Sequence, residues 1–158
     1  MRFRFGFTLP ELIIVMGIAL TLVAIISNSL LGGQHQTSLN TTLATLIADI
    51  KAQQLKAMSG DTEGRAATDS YGIYVQANQY ILFHGAVYSA GDLANSIIPL
   101  NTGLTLSTTF PNSILVFNKG DGQISGFILN QDTLTLTNSE SVAKTLKFNK
   151  YGVIISQT

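Results

Sequence analysis

Glu11 is the residue whose type and position first suggest chemistry. It stands near the start of an otherwise apolar run, residues 7–26, whose other polar side chains are Thr8 and Thr21. An ionised carboxylate in hydrocarbon costs roughly 3 kcal/mol or more, so one kept there needs a partner of opposite charge. The string that contains it, Gly6-Phe7-Thr8-Leu9-Pro10-Glu11, follows a short segment carrying two positive charges, Arg2 and Arg4. Pro10 fits a first helical turn, where the N–H it lacks would have no partner.

The remaining reactive side chains form no such pattern. His35 and His84 lie far apart, with no His or Glu neighbour at ligand spacing, and read as ordinary polar positions. Asp61, Glu63 and Asp69 share one stretch and could furnish oxygen ligands to calcium. That stretch lacks the alternating acidic spacing of an EF-hand, and a solvated loop is the plainer reading. Gly120-Asp121-Gly122 reads as a hairpin turn, since no strand–GxGxxG–helix context surrounds it. Lys119, Lys144, Lys147 and Lys150 are candidates for a small nucleic-acid contact, against the reading of edge lysines that discourage sheet aggregation. Nine basic residues balance nine acidic ones, so no general electrostatic argument favours nucleic acid as a partner. Cysteine is absent, which removes disulfides, thiolate metal sites and cysteine nucleophiles. No nucleophile–base pair stands out, and neither an enzyme activity, a cofactor nor a metal is expected.

The elements that position these residues follow from periodicity. Twenty helical residues over 7–26 reach about 30 Å, the thickness of a bilayer's hydrocarbon core. Positive charge precedes this run and does not return until Lys51, which orients the N-terminus to the cytoplasm and the rest across the membrane. Ser27-Asn28-Ser29 and Gly32-Gly33 loosen the helix. Leu39, Leu43, Leu46, Ile47 and Ile50 then form one stripe of an amphipathic helix over about 36–58. With the first stretch it makes a long rod whose upper half packs on the C-terminal domain. Residues 59–70 read as a loop. Beyond it come strand-like segments: a hairpin of 71–76 and 79–83, then 97–100, 104–109, 113–118, 123–129, 133–137, 144–149 and 152–156, separated by turn residues. Hydrophobic residues make up 46% of the chain and charged ones 11%, as expected for a membrane segment joined to a Ser-, Thr- and Asn-rich domain.

The string Gly6 to Glu11 and the apolar run after it resemble the class III signal of type IV prepilins and type II secretion pseudopilins. The resemblance covers residues 1–26. It implies that a membrane-embedded prepilin peptidase cuts between Gly6 and Phe7 and N-methylates Phe7. It also implies that Glu11, fifth from the new terminus, pairs with the α-amino group of Phe7 on a neighbouring subunit and sets the axial register of a filament. A secretory signal peptide cut near Ser27–Ser29, or an uncleaved anchor, explains the hydrophobicity but not these residues. Over 113–156 the chain is similar to the GspH/FimT-type domain of minor pseudopilins and pilins, whose pattern is a Phe-Asn/Asp-x-x-Gly turn, a Gly, an alternating Thr-Leu strand and a final strand containing Gly. That likeness is a turn-and-strand grammar shared by many β-domains.

The expected fold is α+β, a long N-terminal helix followed by an antiparallel β-domain of two small packed sheets. The division is leader 1–6, transmembrane and filament-core helix 7–31, amphipathic helix 32–58 and β-domain 59–158. The expected role is that of a minor subunit of a type II secretion pseudopilus, type IV pilus or competence filament. Such a subunit sits singly across the inner membrane, with its domain outside the cytoplasm, before entering a periplasmic or surface filament. Its implied partners are prepilin peptidase, other pilin or pseudopilin subunits, the inner-membrane assembly platform and membrane lipid. The alternative is a tip-located binding module for DNA, exoprotein or a surface.

Overall fold

The computed structural model describes residues 8–158, without the side chains of 24–35. The leader 1–6 and the Gly6–Phe7 junction lie outside the described residues, as do the side chains of Ser27–Ser29 and His35. One helix, α1, runs over Leu9–Ser59 without interruption. The expected loosening around Gly32-Gly33 does not divide it. Glycine, serine and asparagine are only weak helix formers, and with no proline there every backbone N–H remains available to the ladder. The helix stops at Gly60, which adopts the left-handed conformation (φ 67°), while the Asp61 N–H bonds back to the Lys56 carbonyl at 3.0 Å.

The two halves of α1 differ in what surrounds them. Leu39, Leu43, Leu46, Ile50 and Ala57 are buried, continuing the stripe read from the sequence, and Gln53 is buried on the same line. From Leu9 to Val23 the large apolar side chains are all more than half exposed. Among the described residues, no helix is long and apolar enough to cross a membrane.

Eight strands follow: β1 Tyr71–Gln76, β2 Gln79–His84, β3 Ser96–Pro99, β4 Leu104–Thr108, β5 Ile114–Phe117, β6 Thr133–Asn138, β7 Ala143–Phe148 and β8 Ile154–Gln157. They form two antiparallel four-stranded sheets, ordered β3-β2-β1-β5 and β4-β6-β7-β8. In β6 the period of two is complete, with Leu134, Leu136 and Asn138 inward and three threonines on the other face. One core unites the helix stripe with Ile73, Leu115 and Phe117 of the first sheet and with Leu134, Leu146 and Phe148 of the second. The expected strand at 123–129 does not form. Ile124 makes an isolated bridge to Phe117, and Gly126 then turns the backbone to φ 62°, a conformation incompatible with a continuing strand. Ile128 and Leu129 are left exposed.

Polar bonds fix the helix to the domain. The Tyr80 hydroxyl, buried in β2, donates to Asp49 Oδ2 at 2.5 Å. Gln54 donates from Nε2 to the carbonyls of Gly122 (3.0 Å) and Tyr151 (2.7 Å), so one amide holds two turns. Both turns approach closely because they carry glycine: a Cβ on Gly122 would overlap Met58, and one on Gly152 would overlap Gln54. Gly120 also donates its N–H to the Ala57 carbonyl at 2.9 Å.

Candidate functional site at the helix N-terminus

Thr8 is the N-cap of α1, in extended conformation (φ −80°, ψ 149°), and its carbonyl accepts the first helical bond, from Leu12 N–H at 3.1 Å. Pro10 lies in the first turn. The Glu11 carboxylate folds back on its own helix end, where Oε2 accepts from the Thr8 N–H and the Thr8 hydroxyl, each at 3.4 Å. This is the Thr-x-x-Glu arrangement of a capping box, which satisfies helix-end donors and places negative charge at the positive end of the helix dipole. The spacing Thr8 to Glu11 carries that signal in the sequence itself. Both bonds are long and the site is exposed, so the carboxylate is weakly held and open to a stronger donor. Gly6 and Phe7, the other members of the motif, lie outside the described residues.

No family model, curated protein or solved structure matches the chain.

The other sequence-selected residues fall into separate surroundings. Glu63 accepts from Lys56 Nζ at 2.6 Å and from Arg65 at 3.1 Å. The Lys56 bond holds the Glu63 carboxyl below its ordinary range, against an opposing push from burial. Arg65 also donates to the Tyr71 hydroxyl, which donates in turn to the Asp61 carbonyl; burial, with the Glu63 charge second, raises the Tyr71 phenol. Asp61 Oδ1 accepts from the Glu63 N–H. Asp61 and Glu63 thus order their own loop, Asp69 Oδ1 accepts from the Ser70 N–H at 2.8 Å, and among the described residues no three His, Asp or Glu side chains are gathered as metal ligands.

The four lysines are not brought to one face. Lys144 shares the register of the inward Leu146 and Phe148, and Lys147 has the opposite one. The Lys147 ammonium lies 4.0 Å from the buried Asp132 carboxylate, and Lys150 stands over the Tyr151 ring at 4.8 Å. At Lys119 the main-chain N–H reaches the Ser70 hydroxyl. Gly120-Asp121-Gly122 forms a turn in which Asp121 Oδ1 accepts from the Gln123 N–H. His84, read from sequence as an ordinary polar position, is held between Asp69 and Asp92; no local pattern signals this, because both partners come from other loops. Beside it a polar cavity of about 140 Å³ is lined by Gln53, Lys56, Glu63, Tyr71 and Ser96 among others. Among the described residues the buried Gln53 Oε1 has no hydrogen-bond partner, a demand that a few ordered waters would meet.

Proposed function

We propose that the chain is a filament subunit of the type IV pilin and type II secretion pseudopilin class. In this reading it is cut between Gly6 and Phe7, anchored in the inner membrane by the apolar start of α1, and assembled by packing that helix against copies or relatives of itself. The observation that carries the proposal is the apolar half-rod over Leu9–Val23, uncovered by its own domain and fronted by Glu11, on a helix whose other half is built into a β-domain. Exposed apolar surface of this extent needs lipid or another protein to cover it. Within such a bundle Glu11 exchanges its two weak bonds to Thr8 for the α-amino group of a neighbouring Phe7. The pairing neutralises two charges that would each be costly in hydrocarbon.

Two measurements test this. Intact-mass spectrometry of membrane-extracted protein should show loss of residues 1–6 and one added methyl group; a mature end near Leu30 would mean an ordinary secretory signal. Crosslinking between membrane-resident subunits should then separate capping from pairing. Gln at position 11 retains the capping-box acceptor and lacks the charge. Glu11→Gln and Glu11→Ala should both lose crosslinks while leaving cleavage and insertion intact. Normal crosslinking in Glu11→Gln would reduce Glu11 to a local helix cap and remove the pairing role.

A further inference from the structure

The side chain of His84, only 18% exposed, closes strand β2 where two loops meet. Its Nε2 lies 2.9 Å from Asp92 Oδ2 in the 85–95 loop, and its Nδ1 lies 3.4 Å from Asp69 Oδ2 in the loop that follows α1. Ionised carboxylate oxygens only accept hydrogen bonds. A neutral imidazole has one N–H and can serve one of the two, leaving a ring lone pair facing the other carboxylate. An imidazolium hydrogen-bonds Asp69 through Nδ1 and holds Asp92 at Nε2 by charge, as an ion pair without hydrogen-bond alignment. Among the described residues, Lys56 from α1 and Glu63 from the first loop line the adjoining cavity with the Tyr71 phenol, and Arg65 bonds both Glu63 and Tyr71 behind them. Lys56 and Glu63 bond each other at 2.6 Å, so neither offers His84 a replacement partner.

The 85–95 loop joins β2 to β3 and carries Asp92. Most of its own bonds are internal: Asp92 N–H to Ser89 carbonyl, Ala94 N–H to Asp92 Oδ1, and Asn95 Nδ2 to Ser89 carbonyl. Its first half is held by the Tyr88 ring stacked 4.3 Å from Tyr74 and by the Gly85 N–H on the Ser70 carbonyl. For its second half, among the described residues, Asp92 on His84 is the one ion pair to the rest of the domain.

We propose that His84 is a pH-operated latch, joining the two loops as an imidazolium and giving up one of them as a neutral imidazole. Histidine is the side chain whose charge ordinarily changes between about pH 5 and 8. Acid closes the latch and alkali opens it, because the proton supplies the positive charge that holds both carboxylates.

The test is hydrogen exchange on the full chain at about pH 5.5 and pH 7.5, corrected for the intrinsic pH dependence of exchange. In the unaltered chain, the protected amides of Asp92 and Asn95 or those of the 61–70 loop should exchange about threefold faster at the higher pH, the scale of one partly exposed ion pair. His84→Gln should show no step in either loop. Asp92→Asn should abolish any step in the 85–95 loop, and His35→Gln should leave the steps in place. A pH-independent pattern in the unaltered chain, or a step that survives in His84→Gln, overturns the proposal. If His84→Gln does not fold, the Asp92→Asn and His35→Gln pair decides: a step in the 85–95 loop that survives Asp92→Asn, or any step lost in His35→Gln, overturns it equally.

Discussion

Replacing Tyr80 by Phe removes one oxygen from a side chain that is 1% exposed and opens no larger cavity. What is lost is the 2.5 Å bond to Asp49 that ties the middle of α1 to the first sheet. Hydrogen bonds to charged groups contribute about 1.5–3 kcal/mol. Asp49 is partly exposed, so water replaces the hydroxyl on its side, and the loss should sit near the lower end, about 1.5 kcal/mol. That corresponds to roughly a tenfold change in the folding equilibrium. Urea unfolding of the full chain in mild detergent, followed by near-ultraviolet circular dichroism of the remaining tyrosines, measures it. The same bond has a pH signature. Burial, with the bond to Asp49 second, raises the Tyr80 phenol well above its ordinary value of 10. A phenol that keeps its proton longer folded than unfolded contributes stability below about pH 10 and loses it as pH rises further. The unaltered chain should therefore weaken more steeply above pH 10 than Tyr80→Phe does. Equal stability of the two proteins, within about 0.5 kcal/mol, together with equal alkaline slopes, would refute the tether, since surface substitutions ordinarily stay within that range.

Two further outcomes follow from the packing. A Cβ on Gly72 would lie 2.5 Å from Phe83 Cζ and 2.9 Å from the Leu115 carbonyl oxygen; because one neighbour is backbone, Gly72→Ala should cost about 1–3 kcal/mol, read as a lower urea midpoint with an unchanged slope. Glu63, held low by Lys56, contributes stability above its unfolded value near 4.5 and loses it as pH falls below that. Glu63→Gln should accordingly flatten the acid limb of the stability curve as pH falls below about 4.5, and an unchanged limb would show that the Lys56–Glu63–Arg65 bonds are not coupled to folding.

Where period alone decides an element, the sequence reading and the structure agree. Thr133–Thr137 alternates and forms β6, and the stripe Leu39, Leu43, Leu46, Ile50 is the buried line of α1. The hairpin of β1 and β2 turns at the expected Ala77-Asn78. Residues 123–129 mislead because Ile124, Phe127 and Ile128 have strand composition, while their backbone is set by Gly126 and by the Ser125 N–H bonding to Val116. The paired sheets are legible as a class, but their strand order, which places β4 beside β6 and β5 beside β1, depends on long-range closure that no local pattern encodes. At the N-terminus, both the motif and the Thr8–Glu11 spacing are visible in the chain. The partners of His84 are not, since Asp69 and Asp92 reach it only after two loops have folded around β2.

The Gln54 amide, grasping two turns at once, has a consequence for the whole rod. A head clamped in this way cannot swivel about the helix, so its azimuth is tied to that of the apolar half. A helix of 51 residues is about 76 Å long and advances about 100° per residue. Inserting or deleting a single residue between Val23 and Thr37 would swing the β-domain by about 100° around the axis while moving it only about 1.5 Å along it. Seven residues would return the phase to within about 20°. In the proposed filament a change of one or two residues in this stretch would therefore be felt mainly as a change of angle, whereas seven would restore the phase but move the domain about 10.5 Å along the axis.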